Sequence, residues 1–350
     1  MTVRDRASAF CARFGLRVPI LMAPMASASP PALAAAVANA GGMGGLGALL
    51  HDAAGIAGWH DAFRAASNGA AQINLWVPDP PPPRDTAREE AARAAMAAWG
   101  PLPPPLGDGP WLRDFDAQCE GVLAAAPAVA SSIMGLFPPA FVARLKARGI
   151  AWFACVTTVA DARAAEAAGA DAVVAQGIEA GGHRGAFDAA RAEAQGSGLF
   201  ALLPLVADAV SVPVIATGGI MEGRGVAAAL VLGASAVQMG TAFLRCPEAG
   251  IAPAWADAVG RAAPEDTVAT RAFSGRLGRG IANDFTRGAP APLPYPLQRV
   301  ITGPMRDAAA RADDPARMQM WAGQSASLAR AEPAGEVVRR VWAEAEGVLG

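Results

Sequence analysis

Eight short apolar runs, at residues 18–23, 43–50, 71–77, 129–134, 151–156, 171–175, 212–216 and 234–239, are separated mostly by alanine-rich stretches of helical character. A continuous apolar run of that length, without polar alternation, suits a strand buried on both faces. Such strands belong to parallel sheets, and a parallel pair needs a long crossover between its members, ordinarily a helix. The eightfold alternation therefore predicts an α/β chain with the (β/α)8 TIM-barrel arrangement. A doubly wound open sheet is the competing topology.

The joints between runs carry matching signals. Ser29-Pro30-Pro31 reads as a cap with proline in the first helical turn, and Gly41-Gly42 stops that helix. Asp52 caps the next helix, and Thr158 with Asp161 forms a capping-box variant ahead of residues 162–168, closed by Gly169. Gly42, Gly44 and Gly47 match G-x-G-x-x-G, but that fingerprint must follow a strand and open a helix. Here it follows a helix and leads into a strand, so the glycines are expected to serve close helix–strand packing.

Two segments break the rhythm. Prolines at 80–83, a helical stretch at 84–99 and a second proline-rich connector through Pro110 form an excursion long enough to suggest a flap or mobile segment. After Thr241 the alternation stops, and residues 245–320 hold proline-rich joints, the basic loop 273–280 and a helical stretch at 305–312. The expected division is a barrel at 1–243, completed by 335–350, and a smaller, mainly helical cap domain at 244–334.

A formal net charge of -2 offers no basic footprint for nucleic acid or an anionic membrane. Every apolar run is broken well short of a membrane-spanning length. Cys11, Cys119, Cys155 and Cys246 show no metal-binding or C-x-x-C spacing, so reduced buried thiols and no metal are expected. Arg4, Asp5, Arg6, Arg13 and Arg17 interrupt the first twenty residues, which argues against a signal peptide and for a soluble, cytoplasmic protein. A monomer or homodimer is expected.

The stretch 176–185 sets Glu179, His183 and Arg184 among four glycines, just after the sixth run. Glycines let a backbone approach a ligand closely, and the polar side chains between them are expected to point into the space that results. On a barrel, strand ends share one face, so Pro24, Met25, Asn74, Ser132, Thr157, Gln176, His183, Thr217, Gly218, Gly219, Gln238, Gly240 and Thr241 should converge. Gly218-Gly219 and Gly240-Thr241 follow the last two runs, where barrels commonly bind phosphate through backbone N–H groups.

With residues 19–25, 176–185, 213–220 and 233–241 assembled, the chain resembles the nitronate monooxygenases, once called 2-nitropropane dioxygenases, over nearly its whole length. The resemblance implies an FMN-dependent barrel, with Ala23, Pro24, Met25, Asn74, Gln176, Gly181 and Gly182 near the flavin ring or ribityl chain. Gly218, Gly219, Gly240 and Thr241 would then lie against its phosphate, with Gln238 and Met239 also among the cofactor-binding residues. His183 is implied as the active-site base or hydrogen-bond partner, an imidazole titrating near neutrality. The implied reaction oxidises an alkyl nitronate, such as propionate 3-nitronate, with O2 to a carbonyl product and nitrite. The related alternatives are an FMN-dependent NADH:quinone or enoyl-acyl-carrier-protein reductase. A regulatory barrel that binds a phosphate-bearing ligand is the non-enzymatic one. Tyr295 is the only tyrosine, so a pocket built on several tyrosines is not reproduced.

Overall fold

The computed structural model describes residues 2–350. Eight parallel strands form the barrel: β1 (Ile20–Met22), β2 (Gly44–Gly47), β3 (Ala71–Trp76), β4 (Val129–Ile133), β5 (Ala151–Val156), β6 (Ala172–Gln176), β7 (Val214–Thr217) and β8 (Ala236–Met239). Their spatial order follows the chain from β2 to β8, and β8 pairs with β1 in the register Ile20 to Val237. A parallel bridge between Leu21 and Met43 joins β1 to the segment entering β2 and so closes the circle. The barrel is therefore the topology found, and the open sheet is excluded.

Helices cover the strands as the apolar runs require. The glycine triplet shows why β2 lacks larger residues. A Cβ at Gly42 would lie 2.5 Å from the Ile20 carbonyl oxygen, and one at Gly44 would lie 2.8 Å from the Ala34 carbonyl oxygen. Thr158 caps the helix Val159–Ala167, but the Asp161 carboxylate accepts from the N–H and hydroxyl of Thr157, one residue before the position a capping box requires. Ser29 likewise is not the helix cap. Pro30 occupies that position, and the Ser29 hydroxyl accepts from the Met25 N–H at 2.8 Å, tightening the turn after β1.

An N-terminal helix, Val3–Phe14, shuts the barrel floor. Thr2 and Asp5 form its capping box and Gly15, at φ 66, ends it. Its Phe10 and Phe14 pack on Phe153 of β5, within the cluster that fills the lower barrel. At the other end of the chain, Ala334–Leu349 packs against the helices Gly223–Val231 and Pro31–Asn39, and so completes the wall.

Residues beyond β8 cross the open end of the barrel. Strands Thr267–Thr270 and Gly278–Ile281 pair antiparallel, and the second also pairs with Gly182–His183 from the loop after β6. The excursion after β3 joins this layer. Ala92 and Met96 pack with Phe273, Phe285, Leu297 and Met305 in one apolar cluster separate from the barrel core. Arg88 adds a 2.9 Å hydrogen bond to the Pro292 carbonyl. Among the described residues no helix is long and apolar enough to cross a membrane.

Candidate active site

The strand ends and the layer above them enclose a cavity of about 240 Å³. Ala23, Pro24, Met25 and Asn74 line it from β1 and β3, and Gln176, Gly181, Gly182 and His183 from the end of β6. Gly218, Gly219, Gln238, Met239, Gly240 and Thr241 complete the wall from β7 and β8. Ser132 and Thr217 also reach it, whereas Thr157 turns away to Asp161.

Of the three polar side chains in the loop after β6, only the imidazole faces the cavity. Arg184 is buried, donating to the carbonyls of Gln176 and, at 2.8 Å, Gln195. Glu179 caps the helix Leu199–Ala209, accepting from the Leu199 N–H at 2.8 Å. The expectation that all three point inward therefore fails, because unsatisfied backbone groups on both flanks claim the acid and the guanidinium. Gln176 braces the same loop, donating to the His183 carbonyl at 3.0 Å and accepting from the Gly185 N–H at 2.8 Å.

His183 is held between Trp76 and Trp321, with ring centroids at 4.7 and 5.0 Å and both pairs edge-on. Its Nε2 lies 2.8 Å from the Ser274 hydroxyl, and no protein partner is found for Nδ1 among the described residues. Ser274 comes from the loop leading to Gly278–Ile281, and Arg276 anchors that loop. Arg276 is 1% exposed and pairs with the Asp79 carboxylate through two hydrogen bonds, the Nε one at 2.8 Å. Burial, reinforced by the charges of Arg276, Arg299 and Arg306, pushes the His183 pKa down to about 3. A titration near neutrality, expected for an imidazole in a polar loop, is thus replaced by a neutral ring.

At the opposite wall the backbone is bare. Gly218 and Gly219 have φ 122 and 68, conformations a side chain would strain. The segment after Trp321 packs beside them, against the loop after β6 and the end of β8: a Cβ at Gly181 would lie 2.6 Å from Gly323 N, and Gly323 N–H donates to Thr241 Oγ1 at 3.0 Å. Ser325 lines the cavity there, and the β7–β8 ends are tied by Thr217 Oγ1 donating to the Gln238 carbonyl at 2.8 Å. Below them, Gln72 Nε2 donates to Gln238 Oε1 at 2.9 Å and to the Met22 carbonyl at 3.0 Å. Gln72, Trp76, Ser274, Arg299, Arg306, Trp321, Gly323 and Ser325 were not singled out from the sequence, although Gln72 and Trp76 alternate with Asn74 on β3 and so share its inward face.

The model of the family described as nitronate monooxygenase matches residues 8–344. The chain belongs to the nitronate monooxygenase family. It is therefore an oxidoreductase of a flavin-dependent family. A nitronate monooxygenase of Pseudomonas aeruginosa is 40% identical over 97% of this chain and 99% of its own length. The solved structure of a nitroalkane oxidase from Streptomyces ansochromogenes superposes with a TM-score of 0.87, at 37% identity, covering 97% of this chain and 100% of that one. The structure of FabK from Thermotoga maritima follows at a TM-score of 0.76 and 27% identity, covering 97% and 96% of the two chains.

Proposed function

We propose that this chain binds FMN and oxidises alkyl nitronates, propionate 3-nitronate among them, with dioxygen to a carbonyl product and nitrite. The observation that carries the reading is the cavity's two unlike ends. One is a bare glycine wall with hydroxyls, and the other is a neutral imidazole in an aromatic frame beside arginines.

The residues present fit a mononucleotide. Two adjacent glycines with positive φ, Gly240, and the hydroxyls of Thr241 and Ser325 suit a phosphate held by N–H and O–H donors. Among the described residues no Lys or Arg lines that end, so the cradle depends on the backbone. The amides of Asn74, Gln176 and Gln238 stand along the intervening wall, where a flavin ring edge would need donors and acceptors. The chemistry FMN supplies when bound is acceptance of electrons from the nitronate and their return to dioxygen.

The chain's own residues bind and orient. A neutral His183 serves an anion best as a donor. The Ser274 hydroxyl has one hydrogen and two acceptors in reach, His183 Nε2 at 2.8 Å and the Arg276 carbonyl at 3.2 Å. Directed to the nearer Nε2, it leaves the ring proton on Nδ1, which can then hydrogen-bond a nitronate oxygen. Trp76 and Trp321 fix the ring plane and exclude water from the reacting carbon. A pKa near 3 makes His183 a weak base toward a neutral nitroalkane, so the preformed anion is the preferred substrate. We assign residues 244–334, with the excursion after β3, the role of cap.

The test is anaerobic mixing of the purified protein with ethyl nitronate or, separately, NADH, following the flavin absorbance. Reduction by the nitronate, with NADH much slower, is expected. Rapid reduction by NADH with transfer to quinones, and no nitronate consumed, would assign a reductase instead.

A further inference from the structure

The cavity holds more positive charge than one nitronate balances. Arg299 and Arg306 both line it, close enough to His183 to depress its pKa. Arg306 is held by neutral acceptors alone: Nε donates to Thr302 Oγ1 at 3.2 Å, Nη1 to Gln319 Oε1 at 2.8 Å, and Nη2 to the Arg299 carbonyl at 3.0 Å. Burial, with the charge of Arg299, pushes its pKa down to about 10. The Arg299 guanidinium has no hydrogen bond or ion pair among the described residues, and only its carbonyl is used. The nearby carboxylates do not neutralise the pair. Asp79 is taken by Arg276, and Asp307 is exposed and attracts Arg306 only through space.

A sheltered guanidinium without a counter-charge is costly, and an entering anion relieves that cost. In the proposed reaction the Nδ1–H of His183 serves the nitronate, which leaves the arginines free for a second group. We infer that Arg299 and Arg306 form an anion subsite beside the reacting position, one that takes a carboxylate or small oxyanion. Planar guanidinium donors suit a planar group with two oxygens. Such a group has two sources: an acid at the far end of the substrate, or a free anion such as the product nitrite. The inference rests on the nitronate reading only for what occupies the reacting position.

The experiment compares the flavin-loaded wild type with Arg299→Gln, and with Arg299→Lys as the charge-keeping control. Acetate and nitrite are titrated by the visible difference spectrum of the flavin, and KM is measured for ethyl nitronate and for propionate 3-nitronate. In the wild type both anions should perturb the spectrum. Arg299→Gln should weaken them at least about tenfold, and Arg299→Lys less, as expected for loss of a charge-assisted hydrogen bond. If the KM of propionate 3-nitronate rises at least about tenfold more than that of ethyl nitronate, the subsite serves the substrate's own acid. Weakened anions with equal, small KM changes assign it to free anions. A large and equal rise in both KM values would show that Arg299 grips the nitronate itself, overturning the inference while leaving the proposed function standing. A wild-type spectrum indifferent to both anions, with no selective KM change in the variant, would overturn it as well. Were neither nitronate oxidised, the proposed function would fail, and the spectral titration alone would decide the subsite.

Discussion

Replacing His183 should change how stability depends on pH. The unfolded chain takes up a proton at this residue near 6.5, the folded chain only near 3. Between those values the unfolded state binds more protons, so the group's contribution is present above pH 6.5 and is lost as the pH falls toward 3. At pH 4.5 the difference corresponds to about 2.7 kcal/mol, against about 0.2 kcal/mol at pH 7, from 1.36 kcal/mol per pKa unit. Water entering the cavity screens part of this, leaving about 2 kcal/mol. Urea unfolding of the wild type and His183→Asn at pH 7 and pH 4.5 measures it. The wild type should lose about 2 kcal/mol more than the variant, since the loss of flavin and the other titrating groups are common to both. Equal losses in the two proteins, or a His183 imidazole seen by NMR to titrate near 6.5 in the folded state, would refute the argument.

The other expectations concern single contacts. His183→Asn should retain the flavin and lose less than about a hundredfold in nitronate turnover, because it removes an orienting donor and not an essential base; steady-state kinetics with ethyl nitronate checks this. Gly218→Ala places a side chain at φ 122 against the Ala180 N and Gly177 O, each 3.3 Å from its Cβ, and should cost about 1–3 kcal/mol and release most of the FMN on gel filtration. Asp79→Asn strands the buried Arg276 charge and should cost about 3 kcal/mol, lowering Tm by about 4 °C in calorimetry. The same change should raise the nitronate KM, because Arg276 anchors the loop that brings Ser274 to His183.

The barrel was legible because strand burial and helical crossover both leave local marks. Short apolar runs, the Asp52 and Thr158 caps and the β2 glycines each constrain the few residues around them. The N-terminal helix is less legible: its Thr2–Asp5 box is present, but charged residues interrupt the stretch and only Ala7, Phe10 and Cys11 are buried, so its apolar stripe is narrow. The cavity's strand-end wall was equally accessible. Once β3 and β6 to β8 are placed, period-two alternation and barrel closure carry Asn74, Gln176 and Gln238 to one face.

By itself, the sequence determined the number of barrel strands, the glycines after β7 and β8, and the presence of His183 in the loop after β6, since each depends on neighbours within a few positions. Only the tertiary structure decided which polar groups face the cavity and in what charge state. Glu179 and Arg184 lie beside His183 in the chain yet are drawn off by a helix end and by loop carbonyls. Ser274, Trp321, Arg299 and Arg306 reach the imidazole's surroundings from 91 to 138 residues further along the chain, when the antiparallel pairing of Gly278–Ile281 with Gly182–His183 folds the late segment over the mouth. The depressed pKa of His183 follows from that closure: desolvation and like charge act through space, and spacing along the chain does not encode them.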